Sequence, residues 1–265
     1  MIWAERHKQM INPFLDFDNL DVVHKEIPLE RSLCKNGPVI ESIRAAYHRI
    51  TRDSASELCR LLDHGQRFNR YKSMLPGIEL PKLLTSTLTN AANVYDLCLR
   101  LVQPIDYAPD DIQELCDVED LYQNAAFEQT GPLGIYLSAL INACKEPHFS
   151  LQIGHFKNKL HFLGFRLEAG KRLSVHGDVG HFTGAGLRGG YLKVSGATGS
   201  WCGAEMISGS IEIGAEALSK TGARMKGGQI QVGGQIHEIA KDRRGGTIQC
   251  NSDKAGKPSI LQDLD

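Results

Sequence analysis

The segment Gly184-Ala-Gly186-Leu-Arg-Gly189 has the G-x-G-x-x-G spacing of loops that bind dinucleotides. In those loops a strand precedes the glycines, and the helix that follows them turns its N-terminus toward the pyrophosphate. Here the following residues, Gly190-Tyr-Leu-Lys-Val194, have the pattern of a strand, and the same glycines recur in a longer repeat. Because the repeat already explains their spacing, we expect no nucleotide site in this segment.

Histidines are the next residues that could do chemistry, and five lie in or beside the glycine-rich part of the chain: His155, His161, His176, His181 and His237. His176 and His181 could form a metal pair, but no carboxylate or thiolate stands at a spacing that would complete the site. His176 follows Val175, so strand alternation turns its imidazole away from the apolar side. We therefore expect a solvent-facing His176 and no bound metal.

The seven cysteines give no sign of a shared site, because none are spaced as C-x-x-C and their number is odd. This pattern favours neither a disulfide framework nor a zinc or iron–sulfur centre. We interpret most of them as small buried apolar side chains. Cys202, beside Trp201, would be reactive only in an accessible, electropositive setting.

Two charged clusters complete the candidates. Seven carboxylates fall between Asp106 and Asp120; they could pair for acid–base catalysis, but carboxylates also favour helix N-termini, and we interpret them as a helix start with a solvated face. Arg67, Arg70 and Lys72 enclose two aromatic residues, which could form a contact surface. Since the net charge is only −1, an ordinary loop is the simpler interpretation. The sequence thus predicts no catalytic, cofactor-binding or metal-binding residue.

The bulk composition sets the frame in which any site must lie. The chain has 265 residues, of which 42% are hydrophobic and 23% charged, as in a globular protein of one or two domains. It lacks a basic domain for nucleic acid and the run of roughly 20 apolar residues that would cross a membrane. The first residues lack the apolar stretch of a signal peptide. These features predict a cytoplasmic protein that binds neither nucleic acid nor membranes.

The first half of the chain has helical signals. Ser54 and Glu57 form a capping box before an apolar run, and Gly65 is a plausible stop. Other helices are expected at residues 40–50, 81–102, 110–127 and 133–144. Along 81–102 one apolar face comprises Leu84, Leu88, Ala91, Tyr95, Cys98 and Val102. We predict an α+β protein with an N-terminal arm at 1–34, a helical domain at 35–148, a parallel β-helix at 150–250 and a tail at 251–265.

The second half is a repeat. Of 27 glycines, 21 lie between Gly154 and Gly246, and residues 171–250 align at a period of 19. Two apolar columns stand two residues apart: Leu173, Leu192, Ile211 and Ile230, then Val175, Val194, Ile213 and Val232. Other columns hold Gly184, Gly203 and Gly222, then Leu187, Met206 and Met225, and doublets of small residues close the turns. A fourth interval is one residue short and predicts an irregular last turn.

These columns predict a parallel stack of short strands. Apolar residues at i and i+2 bury one face of a strand, and a fixed interval lets each strand pair with its own copy about 4.8 Å above it. Glycines at constant phase mark corners with a positive φ or a close approach of the backbone. A helix would lose about 1 kcal/mol for each glycine relative to alanine. Residues 151–170 are interpreted as degenerate opening turns.

The residues of the repeat resemble a known family. Residues 190–213 and 221–234 resemble the G-x-G-x-G repeat that occurs in the C-terminal domain of glutamate synthase large subunits and in a noncatalytic subunit of formylmethanofuran dehydrogenase. The resemblance covers about residues 160–250 and implies a right-handed parallel β-helix. In both families this domain is a spacer or docking surface beside catalytic domains, so the resemblance transfers no catalytic residue.

Three functional hypotheses remain open. The first is a noncatalytic scaffold or assembly subunit that binds a protein partner or a second copy of itself. The second is an accessory subunit of a redox complex of the two types just named. The third is a self-sufficient enzyme with a site between the helical half and the solenoid. We expect no cofactor bound by the chain itself.

Overall fold

The computed structural model describes residues 37–53, 55, 58–62, 80–118, 130–251 and 259–261. Its helices are α1 (Gly37–Asp53), α2 (Leu80–Val102), α3 (Pro109–Cys116) and α4 (Thr130–Ala143), and residues 58–62 are helical as well. Its strands are β1 (His148–Gln152), β2 (Arg172–His176), β3 (Arg188–Val194), β4 (Ser208–Ile213), β5 (Gln229–Val232), β6 (Thr247–Cys250) and β7 (Ser259–Leu261).

The strands form one sheet in which strand order equals chain order. Strands β1 to β6 pair in parallel, each with the next, and β7 pairs antiparallel with β6. A parallel pair needs a crossover between its strands. Here each crossover is a coiled segment that hydrogen-bonds to the corresponding segments of the neighbouring turns. The architecture is therefore a parallel β-solenoid, as the repeat predicts.

The predicted columns are the interior stacks of this solenoid. Leu173 pairs in register with Leu192, that residue with Ile211, and Ile211 with Ile230, and all four are fully buried. The stack also extends beyond the repeat, since Phe149 lies on Leu173 at one end and Ile248 on Ile230 at the other. The first turn therefore contains a real strand, which confirms the interpretation of its opening residues as a degenerate turn.

The corners alternate between left-handed and ordinary backbone. Gly184 and Gly203 both have φ of 65°, and a Cβ at Gly203 would lie 2.5 Å from Cδ1 of Ile230, which confirms the reason for that glycine column. Two residues before each glycine, Phe162, Phe182 and Trp201 also have φ of 60°. Side chains other than glycine rarely adopt this conformation. The glycine column therefore marks only part of each corner, and the sequence analysis did not anticipate the aromatic part.

Most predicted helices are confirmed, with shifted ends. Helix α2 spans almost the predicted range, and the six residues of its predicted apolar face are buried. Helices α1 and α4 also lie where expected. The prediction for α3 was wrong about its end: the helix stops at Cys116 rather than Phe127, because the next backbone N–H groups bond carbonyls only three residues back. Residues 1–34, Ser54, Glu57, Gly65 and 119–127 lie outside the described residues.

The helices and the solenoid share their core. The chain from Pro38 onward forms one compact unit, and buried residues of α1, α2, α3, α4 and the solenoid belong to one hydrophobic cluster. The hydroxyl of Tyr136 on α4 donates to the Ile43 carbonyl of α1 at 2.6 Å. In the described ranges, no helix has both the length and the apolar character needed to span a membrane.

Candidate functional site

Helix α4 lies against the first turn of the solenoid through a stripe of residues at i, i+4 and i+8. Gly134 permits the approach, since a Cβ there would lie 1.8 Å from the His161 carbonyl oxygen. One turn later, Oγ of Ser138 accepts the N–H groups of Gly164 and Phe165 at 2.9 and 3.1 Å. In the next turn the corresponding N–H, that of Gly184, bonds a carbonyl of the preceding turn. Ser138 therefore takes the place of a turn that the solenoid lacks.

Two side-chain amides complete this replacement. Asn142 of α4 accepts the Glu168 N–H through Oδ1 and donates to the Arg166 carbonyl through Nδ2, both at 3.1 Å. Gln113 of α3 accepts the Gln152 N–H at 2.7 Å and donates to the carbonyl of the same residue at 3.4 Å. A primary amide offers the same donor and acceptor as a peptide group. We name α4 together with Gln113 the helical cap, because they pair with the backbone at the solenoid's first end.

The outward face of the sheet carries polar residues in rows. Arg172, Tyr191 and Ser210 are register neighbours, and so are Lys193 and Glu212. The Arg172 guanidinium lies 5.5 Å from the Tyr191 ring centre, and Lys193 Nζ is 3.9 Å from Glu212 Oε2. Partial burial, then the neighbouring Glu212, raises the pKa of Tyr191 to about 12. The phenol therefore stays neutral, and the face offers both charge signs and aromatic area on a regular backbone.

Two histidines stack beside the helical cap. The rings of His161 and His181 are 4.9 Å apart and nearly parallel. Nδ1 of His161 accepts the N–H of His181 at 2.8 Å, and Nδ1 of His181 accepts the N–H of Ser200 at 2.9 Å. Each imidazole thus bonds the backbone of the following turn. We name this pair the histidine ladder.

An aromatic stack continues next to the histidine ladder. The rings of Phe162 and Phe182 are 4.6 Å apart, those of Phe182 and Trp201 are 5.0 Å apart, and both pairs are within 5° of parallel. These are the left-handed corner residues, so the strained backbone turns one aromatic ring per turn into the same column. The arrangement has the form of structural packing, and all three rings are buried.

A cleft of about 370 Å³ lies between α2 and the solenoid. Among the described residues it is lined by Lys82, Thr85 and Ser86 of α2 and by Arg224 of the solenoid. The Arg224 guanidinium donates to Thr85 Oγ1 at 2.9 Å and to Glu205 Oε1 at 3.2 Å. Two basic side chains and two hydroxyl groups suit a small anion, although Arg224 is already balanced by a carboxylate.

The structure places the other residues that the sequence analysis considered. Gly184, Gly186 and Gly189 all have positive φ and lead into strand β3, so the predicted strand after the nucleotide-like motif is confirmed. His176 is exposed at the end of β2, as alternation predicts. Cys202 is fully buried, and burial raises the pKa of its thiol to about 12, so it lacks the setting of a reactive cysteine.

The charged clusters are divided by the limits of the described residues. The carboxylate of Asp111 accepts the Ala108 N–H at the start of α3 at 2.8 Å, which confirms the helix-start interpretation there. Glu119 and Asp120, and the cluster of Arg67, Arg70 and Lys72, lie outside the described residues. Within the described ranges, no three histidine, cysteine or acidic side chains come together as metal ligands would.

The sequence analysis missed the residues of the helical cap and both columns at the corners. The spacing of Gly134, Ser138 and Asn142 on an otherwise apolar helix is a signal that could have identified the cap, because these positions share one face. Gln113 has no comparable signal, since glutamine is ordinary on an exposed helix. The histidine ladder was hidden because one interval, from His161 to His181, is 20 residues rather than 19.

Comparisons of the chain with models of protein families, with curated proteins and with solved structures found no match.

Proposed function

We propose that this protein is a noncatalytic scaffold or assembly subunit that binds a protein partner through the outward face of its solenoid sheet. The observation that carries the proposal is the helical cap, which occupies backbone groups at the solenoid's first end. A parallel sheet that ends in free backbone groups invites further strands. With this end occupied, the broad polar face that includes Arg172, Tyr191 and Lys193 is the surface most suited to a specific partner.

Charge reversal on this face tests the proposal. Tagged protein would be used to capture partners from cells that make it, and the complexes would be weighed by native mass spectrometry. We expect the variant R172E/K193E to lose the captured partner, or the self-association, seen with the natural sequence. The matched control is K145E, which reverses a highly exposed charge outside the sheet. A protein that stays monomeric and captures nothing, or a double variant that captures as well as the control, contradicts the proposal.

A narrower form of the proposal follows from the family resemblance. The scaffold would be an accessory subunit of a redox complex of the glutamate synthase or formylmethanofuran dehydrogenase type, in a cytoplasmic setting, and its solenoid would be right-handed. The parallel crossovers support that hand, since such connections are nearly always right-handed. Capture of subunits that carry flavin, iron–sulfur, tungsten or molybdenum centres is the expected result, and captured partners without any such centre contradict it.

The cleft beside Arg224 favours a second candidate function. An enzyme or ligand-binding protein with a site between helices and solenoid would place a small anion against Lys82 and Arg224. Thermal melting with millimolar phosphate, citrate and sulfate tests this candidate at constant ionic strength. A saturable rise in Tm that K82A abolishes would support it, and equal melting with sodium chloride would contradict it.

A further inference from the structure

The histidine ladder joins three successive turns of the solenoid beneath the helical cap. His161 belongs to the first turn, His181 to the second and Ser200 to the third, and the two bonds between them use side-chain nitrogens as acceptors. The backbone N–H of His161 in turn donates to the Thr130 carbonyl of α4 at 3.3 Å. The ladder therefore lies directly on the contact between the helical cap and the solenoid.

The direction of these bonds specifies the protonation state. An imidazole nitrogen that accepts a hydrogen bond carries no proton, so both rings are neutral with their proton on Nε2. A second proton would have to enter at Nδ1, where it would face the N–H of the next turn. Two donors would then oppose each other, and both bonds of the ladder would break.

The surroundings offer little to stabilise a charged ring. Among the described residues, the charged groups beside the ladder are Lys159 and Asp178, which pair with each other at 3.0 Å, while helix α4 contains no charged residue. Burial, followed by the charge of His181, places the pKa of His161 well below its ordinary value. Burial, followed by the charge of Lys159, lowers the pKa of His181 to about 4.

We propose that the histidine ladder is an acid-sensitive catch, whose protonation separates the first turns of the solenoid and releases the helical cap. Well above pH 6.5 the rings are neutral both when the turns are closed and when they are open, so the catch is closed. As the pH falls below 6.5, the opened form binds protons that the closed form cannot bind. Acid therefore favours the opened form.

The size of the effect follows from the shift of one ring. For His181, with a pKa of about 4 when closed and an ordinary pKa when open, the opened population should rise about 30-fold between pH 7.5 and pH 5.0. A contribution from His161 would increase this factor.

Hydrogen exchange followed by mass spectrometry measures that population segment by segment. We expect residues 130–143 and 159–183 to become about 30-fold less protected at pH 5.0 than at pH 7.5, after correction for intrinsic exchange rates. Residues 208–232, which lie farther along the solenoid, should change much less. In the variant H161N/H181N the extra opening should be absent, because asparagine keeps an acceptor near the position of Nδ1 and does not titrate. The control H176N removes an exposed histidine and should behave as the natural sequence does.

Equal acid-induced opening in H161N/H181N and in the natural sequence would overturn the proposal. So would opening that is uniform along the solenoid. Should the double variant not fold, the imidazole signals of the natural protein in a nuclear magnetic resonance titration decide the question. Rings that titrate with a midpoint near 6.5 while the Gly164 and Gly184 amide signals stay unchanged would show that no catch exists.

Discussion

At the residue scale, the structure depends on a few polar side chains that imitate backbone. Ser138 serves two N–H groups of the first turn at once, and it can do so because its own proton is donated to the Gly134 carbonyl at 2.7 Å. All of these groups are buried, so water cannot replace the hydroxyl. A buried donor without an acceptor costs about 1–3 kcal/mol.

We therefore expect S138A to lower the free energy of unfolding by about 2–4 kcal/mol, because two donors lose their acceptor. Urea unfolding followed by circular dichroism measures the change. The control S42A removes an exposed hydroxyl on α1 and should alter stability by less than about 0.5 kcal/mol. Similar losses in both variants would show that Ser138 does not serve the solenoid as described.

At the element scale, the position of α4 depends on a missing side chain. Gly131 and Gly134 both lie in this helix, and alanine at either should raise helix propensity by about 1 kcal/mol. A Cβ at Gly131 would meet the end of the flexible Leu62 side chain, whereas one at Gly134 would meet a backbone carbonyl. Only the second contact prevents the helix from resting on the solenoid.

The variant G134A should therefore lower the melting temperature by several degrees, with a loss of about 1–3 kcal/mol typical of an overpacked site. Thermal melting followed by circular dichroism compares it with G131A, which should melt close to the natural protein. The account of the cap fails if G134A is as stable as G131A.

Sequence patterns predict the elements better than the contacts between them. The 19-residue columns specify the strand register because a slip would expose Ile211 and its neighbours. The contacts of Ser138 and Asn142 with the solenoid depend on how α4 approaches the first turn, which no local pattern encodes. Likewise, the left-handed backbone at Phe182 and Trp201 contradicts their intrinsic preference, and only stacking within the assembled solenoid explains it. The candidate cleft joins Lys82 to Arg224, two residues far apart in the chain, so it also could not be foreseen.

At the scale of the whole molecule, the interior stack unites the turns. Ile211 is fully buried between Leu192 and Ile230. We expect I211D to unfold the solenoid, because burying an unpaired carboxylate costs several kcal/mol, a large part of a typical total of about 5–15 kcal/mol. Urea unfolding and circular dichroism measure the loss. The control S210D lies on the same strand and faces outward, so its change should be small; a stable I211D would show that the register is wrong.

The central claim is that the helical cap and the solenoid form one stable unit, on which any partner-binding face depends. Native-state hydrogen exchange at neutral pH tests this claim most directly. We predict that the amides of Gly164 and Phe165, which bond Ser138, are as protected as those of the interior strands β3 and β4, and that S138A reduces protection in α4 and the first turn together. The claim would be contradicted if α4 exchanged rapidly while the solenoid stayed protected, or if S138A left the exchange of α4 unchanged.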